Sequence, residues 1–152
     1  MNPPVKLHDL HELWGKDSGW DDLNPHVAIN NIPRLHAKYL NIYSYHSFLV
    51  KSLKKDYTKL RYFYLQYYGS HYNTDEELLA KHGLEPFQKQ AGKDINIYID
   101  SNPEIIKLLT RIDYNEEIVN FCDKVIKELN SRTWQLRSYI DYLKWADERP
   151  KT

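Results

Sequence analysis

The amino-acid sequence predicts an all-α chain of two long helices plus short helices, able to pack along copies of itself. Three observations carry this expectation. Apolar and aromatic side chains recur at steps of three and four from Tyr39 to Tyr67, and the same spacing returns from Ile118 to Leu143. The 152 residues also hold only 5 Gly and 1 Cys, which leaves no glycine-rich phosphate loop and no disulfide framework to build another kind of fold around.

Residues 1–24 are acidic and interrupted by Pro3, Pro4, Gly15 and Gly19, with a short helical piece from Leu7 to Trp14; they read as an N-terminal arm. Residues 25–152 then form a single helical domain, in keeping with the size of one folding unit. Its first long helix is expected from Pro33, suited to the first helical position, to Tyr68, with Gly69 as the exit. Tyr39, Ile42, His46, Leu49, Leu53, Asp56, Leu60, Phe63 and Tyr67 make a heptad-like seam with His46 and Asp56 as polar interruptions. Such a helix is ~54 Å long at ~1.5 Å per residue and outruns a small core, so a partner helix is expected along it.

Between 70 and 100 the sequence offers a short helix over Asp75–His82 capped by Thr74, a loop from Gly83 to Lys93, and an alternation of Ile95, Ile97 and Ile99 that reads as a brief strand or an extended linker. Ser101 and Glu104 have capping-box spacing around Pro103, predicting a short helix near 103–111. A long helix near 114–147 follows, with Ile118, Cys122, Val125, Leu129, Leu136, Ile140 and Leu143 on one broad stripe that Arg132 interrupts. That stripe is the expected oligomerisation surface.

Charge is distributed unevenly. The chain carries 21 Lys and Arg against 21 Asp and Glu. From Pro33 to Tyr72, however, Arg34, Lys38, Lys51, Lys54, Lys55, Lys59 and Arg61 face only Asp56. Heptad positions put Lys51, Lys54, Lys55, Arg61, Tyr62 and Tyr68 away from the seam, and Lys59 belongs to the same basic stretch. Cations displace counterions from phosphate and flat rings receive unstacked bases, so these residues are the candidate single-stranded DNA contacts. A solvated helix face with tyrosines in ordinary amphipathic packing is the competing reading of the same residues. A helical adaptor that binds other proteins through its tyrosines is the corresponding alternative function.

Catalysis finds no support in the sequence, and no cofactor is expected. His8, His11 and Glu12 share one side of the arm helix at metal-ligand spacing, yet a further ligand is lacking, so no metal site is assigned. Cys122 on an apolar stripe reads as a packed small hydrophobe. The absence of a leader-like apolar stretch after Met1, of an apolar run near ~18 residues, and of more than one cysteine points to a soluble cytoplasmic protein without membrane contact.

Lys59-x-Arg61, then Tyr67-Tyr68-Gly69-Ser70, and later Phe121-Cys122, Ser131-Arg132 and Ile140-Asp141 resemble, in order and spacing, the phage recombination-mediator family typified by UvsY. The likeness covers residues 33–69 and 101–146. It implies a non-enzymatic protein that binds single-stranded DNA and assembles into a six- or seven-membered ring. It further implies help in loading a RecA-like recombinase onto strands covered by single-strand-binding protein, in the host cytoplasm for a phage-encoded protein. The resemblance assigns Lys59 and Arg61 to DNA and Leu129, Leu136, Ile140 and Leu143 to assembly. After Gly69-Ser70 the chain departs from the family pattern, running through His71-Tyr72 into the acidic Asp75-Glu76-Glu77.

Overall fold

A computed structural model describes residues 2–149. Among the described residues five helices follow one another: α1 (Leu7–Asp17), α2 (Pro25–Tyr68), α3 (Glu76–Lys81), α4 (Ile95–Asp100) and α5 (Pro103–Glu148). No strand occurs among the described residues. The chain divides into two compact units, residues 1–48 with 115–152 and residues 49–114.

The first unit has a mainly aliphatic core in which Leu10, Ile42, Ile118, Cys122 and Leu129 are fully buried. The expected N-terminal arm contributes to it. Val5 and Leu10 are buried there, and the Trp14 ring meets Tyr39 edge-on at 5.4 Å between centroids. Asp17 receives the Lys38 ammonium at 2.6 Å and the Tyr39 hydroxyl at 3.0 Å. Burial, with this hydrogen bond, pushes the Tyr39 phenol far above its usual range.

His46, expected as a polar seam residue, is buried with both ring nitrogens engaged. The Val5 N–H donates to Nε2 at 3.3 Å, which leaves Nδ1 to carry the proton and donate to Asn115 Oδ1 at 2.8 Å. Arg132, the polar break in the α5 stripe, spans to Glu128 at 3.0 Å and lies 5.5 Å from the Trp14 ring centroid.

The second unit is built from rings. Tyr64, Tyr67, Leu79, Ile99 and Ile105 form its buried core, with Phe63, Tyr68, Tyr72 and Phe87 packed against them. Tyr68 stacks on Tyr64 at 5.7 Å and on Tyr98 at 5.6 Å. Phenol groups need partners when buried. Tyr64 donates to Glu104 Oε2 at 2.7 Å, Tyr67 donates to the Glu85 carbonyl at 2.8 Å, and Tyr68 accepts from Asn102 Nδ2 at 2.9 Å. Burial and the Glu104 bond push the Tyr64 phenol up to about 12. The segment before α4 is pinned by Asn73, which holds both the N–H and the carbonyl of Phe87, at 2.9 and 3.0 Å.

Several boundaries differ from the sequence expectation, each for a local reason. Helix α2 begins eight residues early and carries Pro33 inside it. Pro33 is exposed, while Ile32 and Leu35 on either side are buried, so core contacts on that turn outweigh the hydrogen bond proline cannot make. At the far end the left-handed residue is Ser70 (φ 65°), not Gly69. His71 N–H reaches the Gln66 carbonyl and Ser70 N–H the Tyr67 carbonyl, the bond pair of a Schellman ending. A β-carbon on Gly69 would instead stand 2.9 Å from the His71 ring.

Asp75, not Thr74, caps α3 through Leu78 N–H. The isoleucines of 95–99 are helical: Asp94 caps α4 at Asn96 N–H, and Ile99 is turned wholly into the ring-lined core while Ile97 stays exposed. Helix α5 is one continuous helix where two were expected. Its cap is Asn102, with Pro103 in the first turn; Asn102 Oδ1 accepts from Glu104 N–H at 2.9 Å and Ile105 N–H at 3.3 Å. Ser101 turns back to the Ile97 carbonyl at 2.7 Å and closes α4.

Candidate nucleic-acid interface

The candidate interface lies within the second unit, on the stretch of α2 from Lys51 to Tyr62. Leu53, Tyr64 and Tyr67 are turned inward, and with 3.6 residues per turn the opposite side is taken by Lys51, Lys55 and Tyr62, with Lys59 at its edge toward Phe63. All four are exposed, Tyr62 at 61% of its surface. Among the described residues Lys51, Lys55 and Lys59 enter no ion pair with a carboxylate. Lys54 is exposed on the flank of this stripe.

Arg61 lies further round, half-buried, and donates from Nη2 to Asn96 Oδ1 at 3.0 Å. Its guanidinium is therefore held in place by α4, and Asn96 is a positioning residue that the sequence reading did not single out. Asn96 itself is oriented by Asp94, whose carboxylate takes its backbone N–H at 3.1 Å and whose own protonation is held below the usual carboxylate range by that bond.

Tyr68 does not share the outer side. Its ring is sandwiched in the aromatic cluster between Tyr64 and Tyr98 and its hydroxyl is committed to Asn102. The heptad count placed it outside because it treated the seam as one line. In the structure Tyr64, Tyr67 and Tyr68 all turn inward, since α3, α4, the segment around Phe87 and the start of α5 widen the buried side of the helix at this end.

The stripe expected for oligomerisation also resolves into two parts. Cys122, Val125, Leu129 and Leu136 are committed to the core of the first unit. Burial pushes the Cys122 thiol up to about 12, so it carries no thiolate near neutral pH. Ile140 is still mostly covered, whereas Leu143 is exposed, together with Trp134, Tyr142 and Trp145. The Arg137 and Arg149 guanidinium carbons lie 5.8 and 3.8 Å from the Trp134 and Trp145 ring centroids.

At the arm, His8 pairs with Glu12 at 3.3 Å and the His11 ring lies 4.4 Å from that of Phe121. Among the described residues no group of three or more His, Cys, Asp or Glu is arranged to hold a metal ion. No described helix is long and apolar enough to cross a membrane.

A single strand needs displaceable counterions along its phosphates and flat surfaces for its bases. Lys51, Lys55 and Lys59 at successive turns beside Tyr62 supply both.

Comparison with known proteins agrees with this chemistry. A family model described as "Recombination, repair and ssDNA binding protein UvsY" matches residues 13–147. Three crystal structures of the bacteriophage T4 recombination mediator protein UvsY share the fold. Lattice type II matches with a TM-score of 0.80 at 17% identity, covering 94% of this chain and 98% of that one. Type IV gives 0.77 at 18%, covering 93% and 99%, and type I gives 0.74 at 16%, covering 91% and 98%. No curated protein sequence matches. With a family model spanning residues 13–147, the chain belongs to the UvsY family of recombination, repair and single-stranded-DNA-binding proteins.

Proposed function

We propose that this protein is a non-enzymatic recombination mediator that holds single-stranded DNA along the outer side of α2. Lys51, Lys55, Lys59 and Tyr62 form the stripe, with Lys54 and Arg61 on its flanks. The observation that carries the reading is the exposure of three lysines on one stretch of α2, none of them in an ion pair with a carboxylate among the described residues. Several copies displayed together would engage one strand at high effective concentration, so that modest contacts per subunit add to firm wrapping. In this reading the protein bends or strains DNA covered by single-strand-binding protein and presents it to a RecA-like recombinase. A six- or seven-membered ring is the assembly the family resemblance implies.

Assembly is proposed through the C-terminal part of α5, where Leu143 on the stripe and Trp134, Tyr142 and Trp145 outside it are all left exposed by the protomer's own core. Trp145→Lys should lower the solution mass measured by light scattering toward that of one chain. An unchanged mass assigns assembly to another surface.

The test of the DNA face is the salt dependence of binding. With about 4 phosphate contacts per subunit, the log–log slope for single-stranded DNA should be near −3 per engaged subunit, from ~0.7 per contact. The triple variant Lys51→Ala, Lys55→Ala, Lys59→Ala should reduce that slope to about −1 with helicity unchanged. Full affinity in the triple variant would favour the adaptor reading, in which the tyrosine-rich surface meets protein.

A further inference from the structure

An open cleft of about 370 Å³ lies in the second unit beside the basic stripe, a volume inside the roughly 300–1,000 Å³ typical of small-ligand sites. Half-buried Leu60, Phe63 and Leu108 give it apolar walls, and exposed Asp56, Lys59 and Glu104 border it. The His82 ring, 4.5 Å from that of Phe63 and tilted 41° to it, completes an aromatic side.

Lys59 belongs to both features. It stands one turn beyond Lys55 on the stripe and one turn before Phe63 in the cleft, and residues four apart on a helix are neighbours. A strand whose phosphate is held by Lys59 therefore has a base within reach of the Phe63 and His82 rings.

We infer that this cleft receives an unstacked base of single-stranded DNA; the inference rests on the DNA-binding reading of the stripe. Every base has an apolar face that stacks on an aromatic ring, and removing that face from water favours entry into an apolar recess. The two bordering carboxylates decide what enters. Asp56 and Glu104 repel a phosphate, so the backbone stays outside on the lysines. They accept hydrogen bonds from an amino-bearing base edge, as carboxylates do from the cytosine amino group. The stripe thus supplies affinity along the backbone, and the cleft supplies an anchor that spaces the strand.

The test compares two oligonucleotides of equal length and phosphate number, an oligodeoxycytidine and the same chain with abasic sites, by fluorescence anisotropy on the full-length protein. Wild type should bind the base-bearing strand about 10-fold more tightly, the order expected of aromatic stacking. Phe63→Leu removes the ring and should cut that preference to the share that Tyr62 supplies, while leaving the affinity for the abasic strand.

Because Phe63 also packs on Tyr64 and Tyr72, a second variant separates the cleft from stability: Leu108→Trp fills it from α5 and keeps those ring contacts. It too should weaken the preference. Equal binding of both strands by wild type overturns the cleft and leaves the basic stripe standing. Retention of the full preference in both variants places base contact elsewhere and overturns it as well. Failure of both strands to bind overturns the DNA-binding reading itself.

Discussion

The two units solve the same problem, a core for a small helical body, with different side chains. In the first, Leu10, Ile42, Ile118, Cys122 and Leu129 exclude water completely and ask for no hydrogen bonds. The second is organised around Tyr64, Tyr67 and Tyr68, each of which carries a hydroxyl that must be matched. An aliphatic core is stabilised by area and tight fit. A phenolic core is stabilised by area plus a set of directional bonds, and those bonds reach loops and helix ends that apolar contacts alone would leave loose. The candidate DNA stripe is on the second unit, where Tyr67, Asn73 and Ser70 tie down the segment around Phe87 and Asn96 fixes Arg61.

The contrast predicts where each unit breaks. The largest effect is expected from Leu129→Ala in the first unit, where a fully buried side chain leaves a cavity in a close-packed core; thermal or denaturant unfolding should show a loss of about 3 kcal/mol. A loss below about 1 kcal/mol would mean that the aliphatic core relaxes around the gap and is less tightly packed than its burial suggests.

A smaller loss, about 1 kcal/mol, is expected for Tyr64→Phe in the second unit, which removes the hydroxyl bond to Glu104 and keeps the ring. The same residue gives the unit an alkaline limit. Its folded-state value is raised, from 10 to about 12, so its contribution is fully present below pH 10 and is lost as pH rises toward 12, where the unfolded phenol ionises first. Tyr67, also raised by burial, adds to the fall in the same direction. In urea unfolding followed across this window, Tyr64→Phe should show a shallower decline than wild type. Parallel declines would mean that ionisation elsewhere, such as at Tyr39 in the first unit, sets the limit.

The smallest effect is a gain. Ser70→Gly relieves a left-handed backbone, worth about 1 kcal/mol, and gives up the Ser70 hydroxyl bond to the Phe87 carbonyl at 3.1 Å, for a net stabilisation of ~0.5 kcal/mol. Net destabilisation would show that side-chain bonds to the Phe87 segment outweigh backbone strain in this unit.

Legibility from sequence followed the same division. In the first unit, periodicity alone located the buried stripes of α2 and α5, because an aliphatic side chain at helical spacing has few alternatives to burial. His46 was legible as a polar seam residue; its partner Asn115 was not, since sequence separation hides the pairing. In the second unit the tyrosines were ambiguous one by one. Tyr62 is 61% exposed and Tyr64 5% exposed, yet the two are identical in type and two positions apart. The isoleucine alternation at 95–99 suggests a strand, whereas the Asp94 cap just before it makes the segment helical. The cap of α5 is ambiguous for a similar reason: Ser101 and Asn102 both suit one, and only the position of Pro103 in the first turn favours Asn102.

From its residues alone the chain was bound to be helical and to gather positive charge on one stretch of α2, since hydrophobic spacing and the order of charges along a helix survive without knowledge of neighbours. Which of those side chains face water was settled by packing. α4 took Arg61 through Asn96, the aromatic cluster took Tyr68, and the core of the first unit took Cys122, Val125, Leu129 and Leu136 out of the stripe expected for assembly. A one-dimensional pattern fixes the side of a helix on which a residue stands, whereas burial depends on how many other elements arrive at that side, and only the folded chain brings them there.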